Sequence, residues 1–199
     1  IATVKARGLT PFLDMAYQGF GNGIAEDGAV IQKFVAAGLR FFVSTSFSKS
    51  FSLYGERVGA LSVLCSDKAE ADRVLSQLKI MIRTNYSNPP IHGAAVVAYV
   101  LGTPALRAQW EEELAGMRAR IKAMRHKLVE GLKAAGVKQD MGFITQQIGM
   151  FSYSGLSKDQ MVRLRSEFGI YGTDTGRMCV AALNSRNVDY VCQAIAKVI

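Results

Sequence analysis

Leu39-Arg-Phe-Phe-Val43 runs directly into Ser44-Thr-Ser-Phe-Ser-Lys-Ser-Phe-Ser-Leu-Tyr-Gly-Glu-Arg57. The first segment is a short apolar run behind Gly38, with the length and composition of a buried parallel strand. The second surrounds one lysine, Lys49, with hydroxyls and sets an arginine downstream. Ligands in open α/β sheets sit beyond the carboxyl ends of the strands, so Lys49 stands where chemistry is expected. Ser-x-x-Lys spacing also opens serine acyl-enzymes, in which lysine activates serine, and it fits a solvated lysine on a turn.

Working outward, Pro11-Phe-Leu-Asp-Met-Ala-Tyr17 and Gly59-Ala-Leu-Ser-Val-Leu-Cys65 read as further strands. Residues 25–37 between the first two read as a helix with acids early and Lys33 late, as the helix dipole favours. This β-α-β order predicts an α/β fold with a mostly parallel sheet. Val4-Lys-Ala-Arg-Gly8 resembles the last turn of a helix stopped by glycine. Residues 68–83 form a helix with Val74, Leu78 and Ile82 on one stripe, stopped by Asn85-Tyr-Ser-Asn-Pro-Pro90. Residues 92–101 are small and apolar enough for a buried helix.

From Pro104, with Thr103 as its expected cap, the pattern stays helical to Ala135. A helix this long is expected to link two domains. Its apolar face is Trp110, Leu114, Met117, Ile121, Met124, Leu128 and Leu132. Arg118, Arg120, Lys122, Arg125 and Lys127 decorate the rest and read as a solvated face. Gly136 ends the helix, and short strands at 149–153 and 178–182 then alternate with helices near 157–168 and 188–198. Ser157-Lys-Asp-Gln160 has capping-box spacing. The C-terminal part is α+β.

The chain has 199 residues, 49% of them hydrophobic, enough for a substantial core. The net charge of +8 does not make a nucleic-acid surface, because no aromatic residues interleave with the clustered charges; it suits phosphate and carboxylate ligands. The longest apolar run, Ala94 to Leu101, is far short of the ~20 residues a membrane helix needs. Cys65, Cys179 and Cys192 have no paired spacing and lie among apolar neighbours, so they read as buried free thiols of a reducing compartment, the cytoplasm. With two histidines and no Cys/His cluster, no metal site is expected.

A lysine amine forms a Schiff base with an aldehyde, and an arginine fork with hydroxyls holds a phosphate dianion. Pyridoxal 5'-phosphate carries both groups. The segment around Lys49 resembles the cofactor-lysine signature of class I aminotransferases, the aspartate and aromatic amino acid aminotransferase family. The resemblance extends over nearly the whole chain and implies the pyridoxal-phosphate-dependent transferase fold type I. Residues 1–115 are then the second half of the cofactor-binding large domain and 116–199 the C-terminal small domain. The first half of the family's chain is expected to be absent.

Residue by residue, the resemblance implies that Lys49 is the Schiff-base lysine and later the acid/base group, and that Ser46 and Arg57 hold the phosphate. Phe12-Leu-Asp-Met-Ala-Tyr-Gln-Gly-Phe20 is similar to the family's pyridine-binding strand. It implies that Asp14 pairs with the ring nitrogen, Tyr17 with the phenolic oxygen, and that Ala16 lets the ring pack flat. Alone, Asp14 also reads as a turn former. Arg177 in Thr175-Gly-Arg-Met-Cys-Val180 matches the family's arginine for the substrate α-carboxylate, and Arg83 the one that reaches across a homodimer interface to a side-chain carboxylate. Ser87 lies near that intersubunit site. Phe151 resembles a phenylalanine of the substrate pocket.

The implied function is transfer of an amino group between an aromatic or dicarboxylic amino acid and 2-oxoglutarate. Phe51 to Val63 looks like the aromatic enzymes, whereas Asn88 and His92 are closer to the aspartate enzymes, so an aspartate-specific enzyme stays open. So do a lyase or β-decarboxylase of the same fold, and a non-catalytic basic binding module.

Overall fold

The computed structural model describes residues 1–199. In chain order it contains α1 (Ala2–Ala6), β1 (Phe12–Met15), α2 (Ile24–Ala36), β2 (Phe41–Ser46), β3 (Gly59–Leu64), α3 (Lys68–Asn85) and α4 (His92–Gly102). There follow α5 (Pro104–Ala134), α6 (Phe143–Gln146), β4 (Phe151–Tyr153), α7 (Lys158–Phe168), β5 (Arg177–Cys179), a 3-10 turn at Val180–Ala182, and α8 (Val188–Val198). Two compact units result, Ile1–Gly19 with Gly23–Glu113, and Phe20–Asn22 with Leu114–Ile199.

In the first unit β2 is the central strand, parallel to β1 and antiparallel to β3. Helix α2 supplies the crossover that a parallel pair requires. The connection from Phe47 to Val58 contains no helix, so the chain returns beside β2 in the opposite sense. Phe41 and Val43 are buried, and Phe34 of α2 packs edge-on against Phe41 with ring centroids 5.6 Å apart. Gly59 faces Ser46 across the ladder; a Cβ there would stand 2.7 Å from the Thr45 carbonyl oxygen, so the close approach of the strands needs glycine.

Asp67 caps α3, accepting from the Glu70 backbone N–H at 2.7 Å. The Glu70 carboxylate in turn accepts from the Ser66 backbone and hydroxyl at 2.6 and 2.7 Å, with the Arg40 guanidinium at 3.0 Å. These donors to the charged form hold its pKa down at about 2. Helix α4 buries only Gly93 and Val97, and leaves Ile91 before it and Tyr99 within it strongly exposed. The expectation of a buried helix therefore fails: its apolar residues surround the helix, and this chain covers one narrow side.

The core of the second unit is assembled from Leu114, Ile121, Leu128 and Leu132 of α5, Ile144 of α6, Leu164 of α7, Val180, and Ile195 of α8. Helix α5 has 31 residues, about 46 Å at 1.5 Å per residue. Strands β4 and β5 pair antiparallel. Helix α7 starts with the capping box at Ser157 and Gln160 and ends at Gly169, whose φ of 64° is a left-handed cap.

Three expectations are corrected here. Arg125 is 1% exposed, so it does not belong to a solvated face; its spacing from Ile121 and Leu128 puts it on the apolar stripe itself. Of the cysteines only Cys192 is buried, while Cys65 is half-buried and Cys179 exposed on a two-stranded sheet. The strand expected over 178–182 stops at Cys179 and tightens into a 3-10 turn, with the Leu183 N–H bonded to the Val180 carbonyl.

Cys192 donates weakly to the Leu128 carbonyl at 3.6 Å, and burial pushes its thiol up to about 11. Its sulfur lies where a Cβ on Gly131 would come within 2.6 Å. An exposed helix would gain about 1 kcal/mol from glycine to alanine, but overpacking costs roughly 1–3 kcal/mol. In the full protein, Gly131→Ala is therefore expected to lower the thermal midpoint. The same change made on top of Cys192→Ala is expected to be neutral or stabilising, and a thermal melt of the four proteins checks it.

Candidate functional site

Strands β1 and β2 run parallel, with Asp14 opposite Ser44 in the ladder. The Ser44 hydroxyl donates to Asp14 Oδ1 at 2.9 Å, which orients the carboxylate. Strand alternation puts Asp14 on the same exposed face as Phe12, while Leu13 and Met15 turn to the other face. Ala16 and Tyr17 follow immediately, and the chain then bends, with the Gly19 N–H donating to Asp27 of α2 at 2.8 Å.

The other half of the arrangement comes from the end of β2. Ser46 is its last residue, and its hydroxyl accepts from the Ser48 backbone N–H at 3.2 Å. A single helix-like turn follows, closed by the Phe51 N–H on the Phe47 carbonyl. It presents Lys49, whose Nζ lies 4.5 Å from the centre of the Tyr17 ring. An ammonium over a tyrosine face is attracted by the ring quadrupole. None of the ion pairs seen involves Lys49. Its amine is thus held near Tyr17 without a carboxylate to neutralise it.

The loop returns to β3 through two strained positions. Ser52 and Arg57 have φ of 55° and 54°, left-handed values that cost a non-glycine residue of order 1 kcal/mol or more. Arg57 Nη1 donates to the Tyr54 carbonyl at 2.8 Å, and the Phe47 N–H donates to the Val58 carbonyl at 3.2 Å. Strain of this kind persists where the surroundings over-determine it, and it clusters at ligand sites. Behind the turn, Phe51 stacks on Trp110 at 4.7 Å and 21°, and Trp110 Nε1 donates to the Ser50 carbonyl at 2.7 Å.

Of the remaining candidates, Arg83 donates to the Ser87 hydroxyl across the end of α3, where Ser87 has a φ of 65°. In the second unit, the Arg177 guanidinium carbon lies 4.1 Å from the centre of the Phe151 ring. The candidates therefore fall into three local groups: Asp14, Ala16, Tyr17, Ser46, Lys49 and Arg57; Arg83 with Ser87; and Phe151 with Arg177. A cavity of about 190 Å³ in the first unit includes Ser46, Thr45, Gln18 and Trp110 in its wall, but not Lys49, Asp14, Tyr17 or Arg57.

Two contributors went unseen in the sequence. Ser44 owes its contact with Asp14 to strand register, which residue spacing does not reveal. Trp110 lies 60 residues from Ser50; its apolar spacing marked it as core without indicating what it packs against.

The family model for aminotransferase class I and II matches residues 1–195. The chain belongs to that family. It is 61% identical over 196 residues to an aspartate aminotransferase of Pseudomonas aeruginosa, covering 98% of this chain and 49% of the relative. It is 54% identical to an aromatic-amino-acid aminotransferase of Escherichia coli, covering 100% of this chain and 50% of the relative. Among solved structures, an aromatic-amino-acid aminotransferase from Burkholderia pseudomallei, covalently bound to pyridoxal phosphate, superposes with a TM-score of 0.96 at 65% identity, over 99% of this chain and 49% of that one. The chain thus spans about half the length of the curated relatives it matches.

The loop carrying Lys49 leans on α5 through Trp110. Trp110→Phe keeps the stacking and removes the bond to Ser50, so it is expected to lower stability by about 1 kcal/mol. Denaturant unfolding of the full protein, with an unchanged slope and a lower midpoint, checks this.

Proposed function

We propose that the protein of which this chain is a part is a pyridoxal-phosphate-dependent aminotransferase. It exchanges an amino group between an aromatic or dicarboxylic amino acid and 2-oxoglutarate. The observation that carries the reading is the pair of adjacent parallel strand ends, with an oriented carboxylate on one and an unneutralised amine held beside a tyrosine by the other. A carboxylate, a phenol, an amine, hydroxyls and a guanidinium are the donor set that this cofactor's ring, aldehyde and phosphate require. The left-handed backbone of Ser52 and Arg57 marks the connecting loop as one shaped for a ligand.

Bound pyridoxal phosphate supplies an aldehyde that condenses with amines and a protonated ring that withdraws electrons. Asp14 holds the proton on the ring nitrogen, and a charge-assisted bond of this kind contributes roughly 1.5–3 kcal/mol. Tyr17 would donate to the phenolic oxygen, and Ala16, with its small side chain, would leave room for the ring. Ser46 and Arg57 bind the phosphate. Lys49 would hold the cofactor through its amine and would accept and return the substrate's α-proton at Nζ. Arg177 binds the substrate α-carboxylate beside Phe151. Arg83, held by Ser87, receives a side-chain carboxylate in a neighbouring subunit of a homodimer.

Residues 1–115 belong in this reading to the cofactor-binding large domain and 116–199 to the small domain. The division of the chain near Glu113 and Leu114 supports it. Three free cysteines suit a cytoplasmic enzyme, and no helix is long and apolar enough to cross a membrane. An aspartate-specific enzyme is the second reading, favoured by the 61% identity to the Pseudomonas aspartate aminotransferase.

In the whole enzyme, Lys49→Ala is expected to remain folded and still bind the cofactor through Arg57, Ser46 and Asp14 while losing α-proton transfer. Transamination within tenfold of wild type would sink the assignment. Arg83→Ala is expected to lower kcat/KM for aspartate or glutamate by at least tenfold, about 1.4 kcal/mol, with far less effect on phenylalanine or tyrosine. A parallel fall for both classes would mean that Arg83 maintains the fold or the dimer; a wild type that ignores aromatic substrates would select the aspartate-specific reading.

A further inference from the structure

Arg125 sits among the most buried side chains of the second unit, 1% exposed. None of its partners is a carboxylate. Nη1 donates to the Ile144 carbonyl at 3.3 Å and to the Ser152 hydroxyl; Nη2 donates to the carbonyls of Gly149 and Phe151, both at 2.7 Å. Nε has no partner. Burying a guanidinium against neutral acceptors is costly, and an apolar residue of similar volume is often the more stabilising choice. Stability of α5 alone therefore gives no reason for arginine on its apolar stripe.

What a leucine could not do is gather acceptors from a single segment, Ile144 to Ser152. That segment turns through Gly149 with a φ of 84° and ends in β4, which has only three residues and one partner strand. So short a ladder does not fix itself. Gln147 closes the other side of the segment: its Nε2 donates to the Tyr153 carbonyl at 3.0 Å, and its Oε1 accepts from the Tyr153 N–H at 2.8 Å. Strand alternation then turns Ser152, 2% exposed, toward Arg125 and sends Phe151 and Tyr153 to the opposite face. Arg177 lies opposite Tyr153 in the ladder and diagonal to Phe151, close enough for its guanidinium to rest on the Phe151 ring.

We propose that Arg125 is a positioning residue for substrate binding: it fixes the backbone of β4 so that Phe151 holds the Arg177 guanidinium in the orientation that captures a carboxylate. This rests on the reading of Arg177 as the carboxylate-binding arginine. Arg125 touches no substrate. It acts through the Phe151 carbonyl and the Ser152 hydroxyl, on the far side of the strand from the group it orients.

The test is a double-mutant cycle in the full-length holoenzyme, reading the Kd of 3-phenylpropionate, which has one carboxylate and no amine, by calorimetry. Arg125→Gln is expected to weaken binding by about tenfold, as a misplacement transmitted to a binding group does. Arg177→Ala is expected to weaken it at least as much. Added to Arg177→Ala, Arg125→Gln is expected to change Kd by less than about twofold, because residues acting through one another are not additive. Binding within twofold of wild type for Arg125→Gln, or the full factor persisting in the Arg177→Ala background, overturns the positioning role. Unchanged binding by Arg177→Ala alone overturns the reading of Arg177 and the proposal with it.

Ser152→Ala removes one bond and covers the case in which Arg125→Gln does not fold. It is expected to weaken binding about two- to fourfold in wild type and not at all beside Arg177→Ala. No effect of Ser152→Ala in wild type, in a protein of unchanged thermal midpoint, then overturns the proposal. Arg125→Lys, which retains charge without the fork, is expected not to restore binding.

Discussion

Strand β2 is the only strand of the chain paired on both edges, and the candidate cofactor residues depend on that double pairing. Its parallel partner brings Asp14 level with Ser44; its antiparallel partner brings Gly59 level with Ser46. A slip of one residue in either ladder would turn every side chain of that strand to the other face. The buried pair Phe41 and Val43 opposes such a slip on one side, and the 2.7 Å clearance that admits only glycine at position 59 opposes it on the other. The apolar segment ahead of Lys49 thus has two consequences at once: it makes the strand, and it sets the height at which the turn emerges.

The loop from Phe47 to Val58 shows how order is imposed on a segment with little regular structure. Two non-glycine residues in left-handed conformations are unfavourable locally. They are opposed by a backbone bond at the neck from Phe47 to Val58, by the Phe51 stack on Trp110 and by the Arg57 bond to Tyr54. Two of those contacts lie within the loop and the third reaches it from α5, so the loop is held by its own backbone and by one distant helix. In the second unit the Phe151 and Arg177 pair sits on the β4–β5 ladder, and the Phe151 carbonyl accepts from Arg125 of the distant α5.

Much of this was legible in the residues. An apolar run ending in hydroxyls and an aspartate at the end of a neighbouring strand located Lys49 and Asp14 at strand ends, where the structure has them; their proposed roles, and that of Arg177, came from the family resemblance. The long helix from Pro104 was equally plain, since its apolar spacing persists and Gly136 stops it at a φ of 88°. What escaped were relations between distant segments. Ser44 meets Asp14 only because of register. Arg125 looked solvated because charge outweighed its position on the stripe, although three- and four-residue spacing from Ile121 and Leu128 marks it as inward. Cys179 looked buried by its neighbours, yet a two-stranded sheet has too little cover to bury both faces.

Trp110 is the only tryptophan in the chain. Its indole lies flat on Phe51, two residues from Lys49, with its N–H on the carbonyl of Ser50, one residue away. Indole emission responds to hydrogen bonding and to local polarity, and here one chromophore is tied to the very turn that bears the amine. The molecule therefore carries its own optical probe of that turn, and intrinsic fluorescence follows the state of the lysine loop with no label added and no competing indole from this chain.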